Sequence, residues 1–120
     1  MSISKQEKEK YVILKVENEK LDSILAPDLK SEMVMLNKTG VANIIVDLTA
    51  VKYCDSSGLS ALLVGNRGTR ELEGTFVISG LQPMVEKLIT ISQLDKVLNI
   101  TPTCDEAEDF IVMEIIEKEL

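Results

Sequence analysis

The sequence contains no histidine and no tryptophan. Without histidine the chain cannot assemble a Ser-His-Asp triad, a Cys-His pair or a histidine-ligated metal site, which excludes most hydrolase mechanisms. Aromatic residues make up only 3% of 120 residues, so any core must be built mostly of Leu, Ile, Val and Met. Cys54 and Cys104 are the two cysteines and form no Cys-x-x-Cys. A zinc site needs more ligands than these two, and they read as free thiols packed as small hydrophobes. No apolar run approaches the ~20 residues of a membrane-crossing helix. The Lys/Glu-rich stretch 1–10 lacks the apolar segment of a secretory signal, so a cytoplasmic protein is expected. Thirteen basic residues face twenty acidic ones, a net charge of −7. That balance argues against nonspecific nucleic-acid binding and against attraction to anionic membranes. Neither a metal site nor a glycine-rich phosphate loop is present, so no cofactor is implied.

What the chain does hold is the composition of one folded domain, 45% hydrophobic and 28% charged. Residues 1–10 are polar and are expected to fray. Tyr11 to Val16 is β-rich and reads as a strand; Lys20 to Ile24 reads as a short strand or an extended loop. Ala26-Pro27 opens a helix, with proline in the first turn where its missing N–H costs nothing. Leu25, Leu29, Met33 and Leu36 form its apolar stripe, and Thr39-Gly40 ends it. Asn43 to Leu48 is a continuous apolar run, as in a strand buried on both faces.

A polar turn follows, Tyr53-Cys54-Asp55-Ser56-Ser57-Gly58. Leu59, Leu62, Leu63 and Asn66 then share a helical face up to about Glu71, with Gly74 beyond. Thr75 to Ser79 reads as another buried strand. Gly80 to Pro83 turns into a third helix with Met84, Val85, Leu88 and Ile89 on its apolar face. Val97 to Ile100 fits a short edge strand. Thr103-Cys104-Asp105-Glu106 has the Thr-x-x-Glu form of a capping box, ahead of a last helix carrying Ala107, Phe110, Ile111 and Ile115. The Met33/Met35 pair and Met84 read as core filler. Alternating helices and strands from residue 26 onward predict an α/β layer, with a parallel βαβ unit across residues 44–78.

In such sheets function gathers at the carboxyl ends of strands, which singles out Asp55-Ser56-Ser57-Gly58. Ser57 is suited to cap the following helix, and Gly58 to a tight backbone turn. A phosphoryl group on a serine here would meet the positive end of the helix dipole, opposed by the Asp55 charge. The same four residues also make an ordinary helix cap, and the local chemistry leaves both readings open.

Asp47-Leu48, Tyr53 and Asp55-Ser56-Ser57-Gly58-Leu59 together resemble the signature of the STAS family, which includes anti-sigma factor antagonists and domains of sulfate transporters. Lys20-Leu21-Asp22 is similar to the family's Glu-Leu-Asp. Gly80-Leu81, Pro83-Met84-Val85 and Leu94-Asp95-Lys96-Val97-Leu98 follow in the family's order. The resemblance spans about residues 11–118. Beyond the flexible N-terminus expected over 1–10, it implies a single STAS-type α/β domain over 11–120. That domain is a small mixed β-sheet of about four or five strands with helices packed mainly on one side. It further implies that Ser56 is phosphorylated by an anti-sigma factor that is an ATP-dependent serine kinase. A serine phosphatase would reverse the reaction. Asp22, Asp55, Ser57 and Gly58 would form the phosphosite turn and partner surface. Three departures stand out: Glu19-Lys20 replaces a common glycine before the Leu-Asp, Ser60 replaces a second glycine, and Asn66 and Gly68 flank Arg67.

The implied function is that of a phosphorylation-switched anti-sigma factor antagonist without catalytic residues of its own. The alternative is a STAS scaffold subunit of an ABC-type lipid or solute transporter complex on the cytoplasmic side, with no insertion into the membrane. A serine hydrolase would need a Ser-Lys pair, and Lys52 is the only basic residue close before the motif. Asp22 also reads as a turn former, Asp47 as a structural carboxylate, and Arg67 and Arg70 as a solvated helix face.

Overall fold

The computed structural model describes residues 2–120. Its centre is a five-stranded sheet with strand order β1-β2-β4-β6-β7. These strands are β1 (Ile3–Glu7), β2 (Val12–Val16), β4 (Asn43–Asp47), β6 (Thr75–Ser79) and β7 (Asn99–Thr101). β1 runs antiparallel to β2, and the remaining pairs are parallel. A separate parallel pair joins β3 (Lys20–Leu21) to β5 (Tyr53–Cys54). The helices are α1 (Ala26–Lys38), α2 (Ser56–Glu71), α3 (Pro83–Ile91) and α4 (Cys104–Glu119). The mixed sheet and the parallel β4-α2-β6 unit agree with the sequence reading.

The two-residue period of the strands divides the core. Val12, Leu14, Val16, Ile44, Val46, Phe76 and Ile78 share one cluster with the buried residues of α1, α2 and α3. Ile13, Ile45 and Val77 belong to a second cluster, closed by Ala107 and Ile111 of α4. Three helices thus cover one face and one covers the other. This explains why β4 and β6 read as unbroken apolar runs. The whole predicted stripe of α1, Leu25, Leu29, Met33 and Leu36, is buried.

Several expectations are corrected. Residues 3–7, expected to fray, form β1 in register with β2, Ile3 opposite Val16 and Glu7 opposite Val12. Ile3 packs against the core while its polar neighbours stay in solvent, an arrangement an edge strand tolerates. Met33 is core, but Met35 and Met84 are 62% and 65% exposed. Both lie off the buried stripes of their helices, which Leu29-Met33-Leu36 and Val85-Ile89 already fill.

Gly40, at φ 93°, ends α1, with Val41 N–H donating to the Leu36 carbonyl at 2.9 Å and Gly40 N–H to Asn37 at 3.1 Å. α2 ends by the same pattern, but Glu73 holds the left-handed position at φ 59° and Gly74 comes one residue later. A β-carbon on Gly74 would overlap the Ala42 carbonyl oxygen. The glycine therefore serves a close approach to the chain entering β4, not the helix stop.

Candidate functional site

The site is built where β3 and β5 meet the start of α2. Backbone bonds tie the two short strands together: Tyr53 N–H donates to the Glu19 carbonyl at 3.1 Å, and Asp55 N–H to the Leu21 carbonyl at 3.4 Å. This pairing brings the Leu21-Asp22 turn, ahead of α1, beside the Asp55–Gly58 turn, ahead of α2. The two motifs are more than thirty residues apart in sequence, and neither strand is long enough to be prominent by pattern alone.

Asp55, not Ser57, caps α2. Its backbone is extended, and its Oδ1 accepts from Ser57 N–H at 2.9 Å and Gly58 N–H at 3.1 Å. A carboxylate reaches back to these free donors and also suits the helix dipole. Ser56 is therefore the first residue of the helix. Gly58 has no positive φ and makes no special turn; it is buried, and a β-carbon there would lie 2.5 Å from both the Cys54 Sγ and the Leu21 carbonyl oxygen. Its role is to let α2 approach β3 and β5.

Asp22 closes the turn that leads into α1, whose own N-cap residue, Leu25, makes no side-chain cap. The Asp22 Oδ1 accepts from Ile24 N–H at 3.1 Å and Leu25 N–H at 3.3 Å, and its carbonyl accepts from Ala26 N–H at 2.8 Å. Asp47 closes the turn after β4 by accepting from the backbone N–H of Thr49 at 2.9 Å and from its hydroxyl. It does not reach the serines, which agrees with the structural reading.

Between the two turns lies an open cleft of about 360 Å³ lined by Ser23, Ala26, Pro27, Lys30, Ser56, Ser57 and Ser60. Ser56 is exposed and Ser57 partly so. Ile24, next to Ser23 on the rim, is 83% exposed, and Tyr53 on β5 is 47% exposed. Sequence reading missed Lys30, Ser23 and Ser60, which enter only through the pairing of β3 with β5. Lys52, the candidate partner for a Ser-Lys pair, is exposed and lies 3.4 Å from Glu19; it does not line the cleft. Arg67 and Arg70 line another depression, with Leu63, Asn66, Glu71 and Val97. They are not brought to Ser56.

Burial pushes the Cys54 thiol up to about 11, with the Asp55 charge adding to the effect. Cys104 is also raised, first by burial and then by Asp47. Both are free thiols, as expected. Among the described residues no cluster of ligating side chains is arranged for a metal, and no helix is long and apolar enough to cross a membrane.

The sequence model of the STAS domain family matches residues 2–107. A protein of Bordetella bronchiseptica, BtrV, provisionally named an anti-sigma factor antagonist, is 27% identical over 88 residues, which is 73% of each chain. An anti-sigma-factor antagonist (STAS) domain protein from Planctomyces limnophilus superposes with a TM-score of 0.83 at 17% identity, over 92% of this chain and 97% of that one. The anti-sigma factor antagonist SpoIIAA matches in two solved forms. Its unphosphorylated form has a TM-score of 0.78 at 20% identity, over 91% and 95% of the two chains. The phosphorylated Bacillus form has a TM-score of 0.72 at 19% identity, over 91% and 98%.

Proposed function

Because the chain belongs to the STAS domain family, we propose that it is an anti-sigma factor antagonist switched by phosphorylation of Ser56. The observation that carries the reading is the exposed Ser56 at the first position of α2, on an open cleft with exposed Ile24 and Tyr53 close by. Apolar side chains left in solvent around a polar turn suit protein contact more than small-molecule chemistry.

In the unphosphorylated state the domain binds its anti-sigma factor through this rim, with Asp22, Asp55 and Ser57 holding the backbone in shape, and frees the sigma factor. The partner is an ATP-dependent serine kinase. The Ser56 hydroxyl attacks the γ-phosphorus, the new Oγ–P bond forms as the bond to ADP breaks, and the hydroxyl proton passes to a base on the partner. The product carries about −1.5 to −2 added charge. That charge is costly to desolvate in the interface and repels acidic groups opposite it, so affinity falls. A serine phosphatase restores the binding form. The chain contributes a surface and a phosphoacceptor and no catalytic group.

Phosphopeptide mapping of the endogenous protein across growth and stress conditions tests this directly. Phosphate on Ser56 that changes with condition is the expected result. Phosphate on neither Ser56 nor Ser57 under any condition would overturn the switch and favour a scaffold subunit of a transporter complex. In binding assays with the captured kinase partner, Ser56→Asp should weaken association and Ser56→Ala should preserve it. Variants that both bind like the wild type would also overturn the switch.

A further inference from the structure

We propose that Lys30 is the built-in counter-ion for a phosphoryl group on Ser56, holding it in the cleft between α1 and α2. The inference rests on the reading of Ser56 as the phosphoacceptor and adds the residue that receives the modified side chain.

Lys30 and Ser56 line the same 360 Å³ cleft, and no Asp or Glu lines it, although the protein carries a net charge of −7. The rest of the lining consists of Ser23, Ser57, Ser60, Ala26 and Pro27, so the polar groups available there are hydroxyls. Lys30 is partly buried, and among the described residues it makes no ion pair; the paired lysines are Lys5, Lys8, Lys10 and Lys52. Asp22 and Asp55, in the turns that lead into α1 and α2, spend Oδ1 on backbone N–H groups of those turns. They do not supply Lys30 with a partner. The other nearby cation, Lys52, is held by Glu19 outside the cleft. A phosphomonoester on Ser56 brings three acceptor oxygens and a double negative charge to a space whose one charged lining residue is this lysine.

The position of Lys30 gives the pairing a mechanical consequence. It sits one turn into α1, the helix whose start is set by the Asp22 turn. A phosphoryl group bound there bridges α1 to α2, so modification braces the rim that the unphosphorylated form presents to its partner. Charge added at Ser56 is then partly neutralised on the protein and directed along the cleft.

The test uses the full chain with phosphoserine installed at position 56 during translation, so it needs no kinase and no anti-sigma partner. Phosphorus NMR titration reads the second ionisation of the phosphate. Lys30→Met should raise that pKa by about half a unit relative to the unmutated phosphoprotein, the scale of a partly exposed ion pair. Lys30→Arg should restore it, and Lys52→Met should leave it unchanged. A Lys30→Met phosphoprotein that titrates like the parent would overturn the proposal. So would an equal shift from Lys52→Met, which would mark general surface charge instead. A Lys30 effect without any condition-dependent phosphorylation in the cell would sink the switch alone. Regulated phosphorylation without a Lys30 effect would sink this inference alone.

Discussion

Gly58 lies so close to Leu21 that a β-carbon on it would sit 2.5 Å from the Leu21 carbonyl oxygen. The last residue of the Asp-Ser-Ser-Gly turn is thus fixed by packing between α2 and the β3–β5 pair, and only the residues before it face solvent. Gly58→Ala should cost about 1 to 3 kcal/mol, the range for overpacking a closed contact. Thermal unfolding followed by circular dichroism measures it. A midpoint unchanged from wild type would show that the helix start can move aside.

Asp55 holds the first turn of α2 through two backbone donors. Asp55→Ala should lower stability by about 1 kcal/mol, and Asp55→Asn should recover most of the loss. Hydrogen exchange at the Ser57 and Gly58 amides should accelerate in the alanine variant. Unaltered exchange there would remove Asp55 from the capping role.

Glu73 and Gly74 make opposite predictions at adjacent positions. Glu73 pays for a left-handed backbone that glycine adopts freely, so Glu73→Gly should hold or raise stability, by up to about 1 kcal/mol. Gly74→Ala forces a β-carbon into the Ala42 carbonyl and should lower it markedly. Chemical denaturation of the two variants would decide the matter, and the reverse order would refute the assignment.

Alkaline behaviour follows from Cys54. Its folded pKa, about 11, lies above the ordinary thiol value of 9.0 because burial disfavours the thiolate. The native state therefore keeps its proton longer than the unfolded chain. The associated stability is complete below pH 9 and is lost as pH rises through about 11. Cys54→Ala should flatten the decline in melting temperature across that window. Some slope should persist, because Tyr11 is pushed up to about 12, chiefly by burial and then by its hydrogen bond to Glu108. Identical slopes in variant and wild type would contradict the assignment. In thiol labelling of the native protein, Cys104, which is less buried, should react before Cys54.

Much of the architecture was legible because it is carried by local periodicity. The stripe of α1, the two-sided apolar runs of β4 and β6, and the Thr103 cap of α4, whose hydroxyl accepts from Glu106 N–H at 3.2 Å, each lie within a few consecutive turns or residues. The Asp55–Gly58 turn was legible as the junction between a strand and a helix. The roles inside it were not. Whether Asp55 or Ser57 caps the helix depends on backbone angles, and either residue type is chemically able to do it. β1 was missed because an edge strand needs only one inward residue, Ile3, to be anchored.

The sequence by itself determined the α/β class, the main helices and strands, the absence of histidine-based chemistry and the serines available for modification. These follow from residue types and short spacings, which act over one or two turns of chain. Tertiary structure alone decided that Leu21-Asp22 lies beside Asp55–Gly58 and that Lys30 shares a cleft with Ser56. It also decided that Gly58 and Gly74 are glycines for want of space. These are contacts between segments distant along the chain, where the nearest neighbour is set by how the layers pack and no local pattern records it.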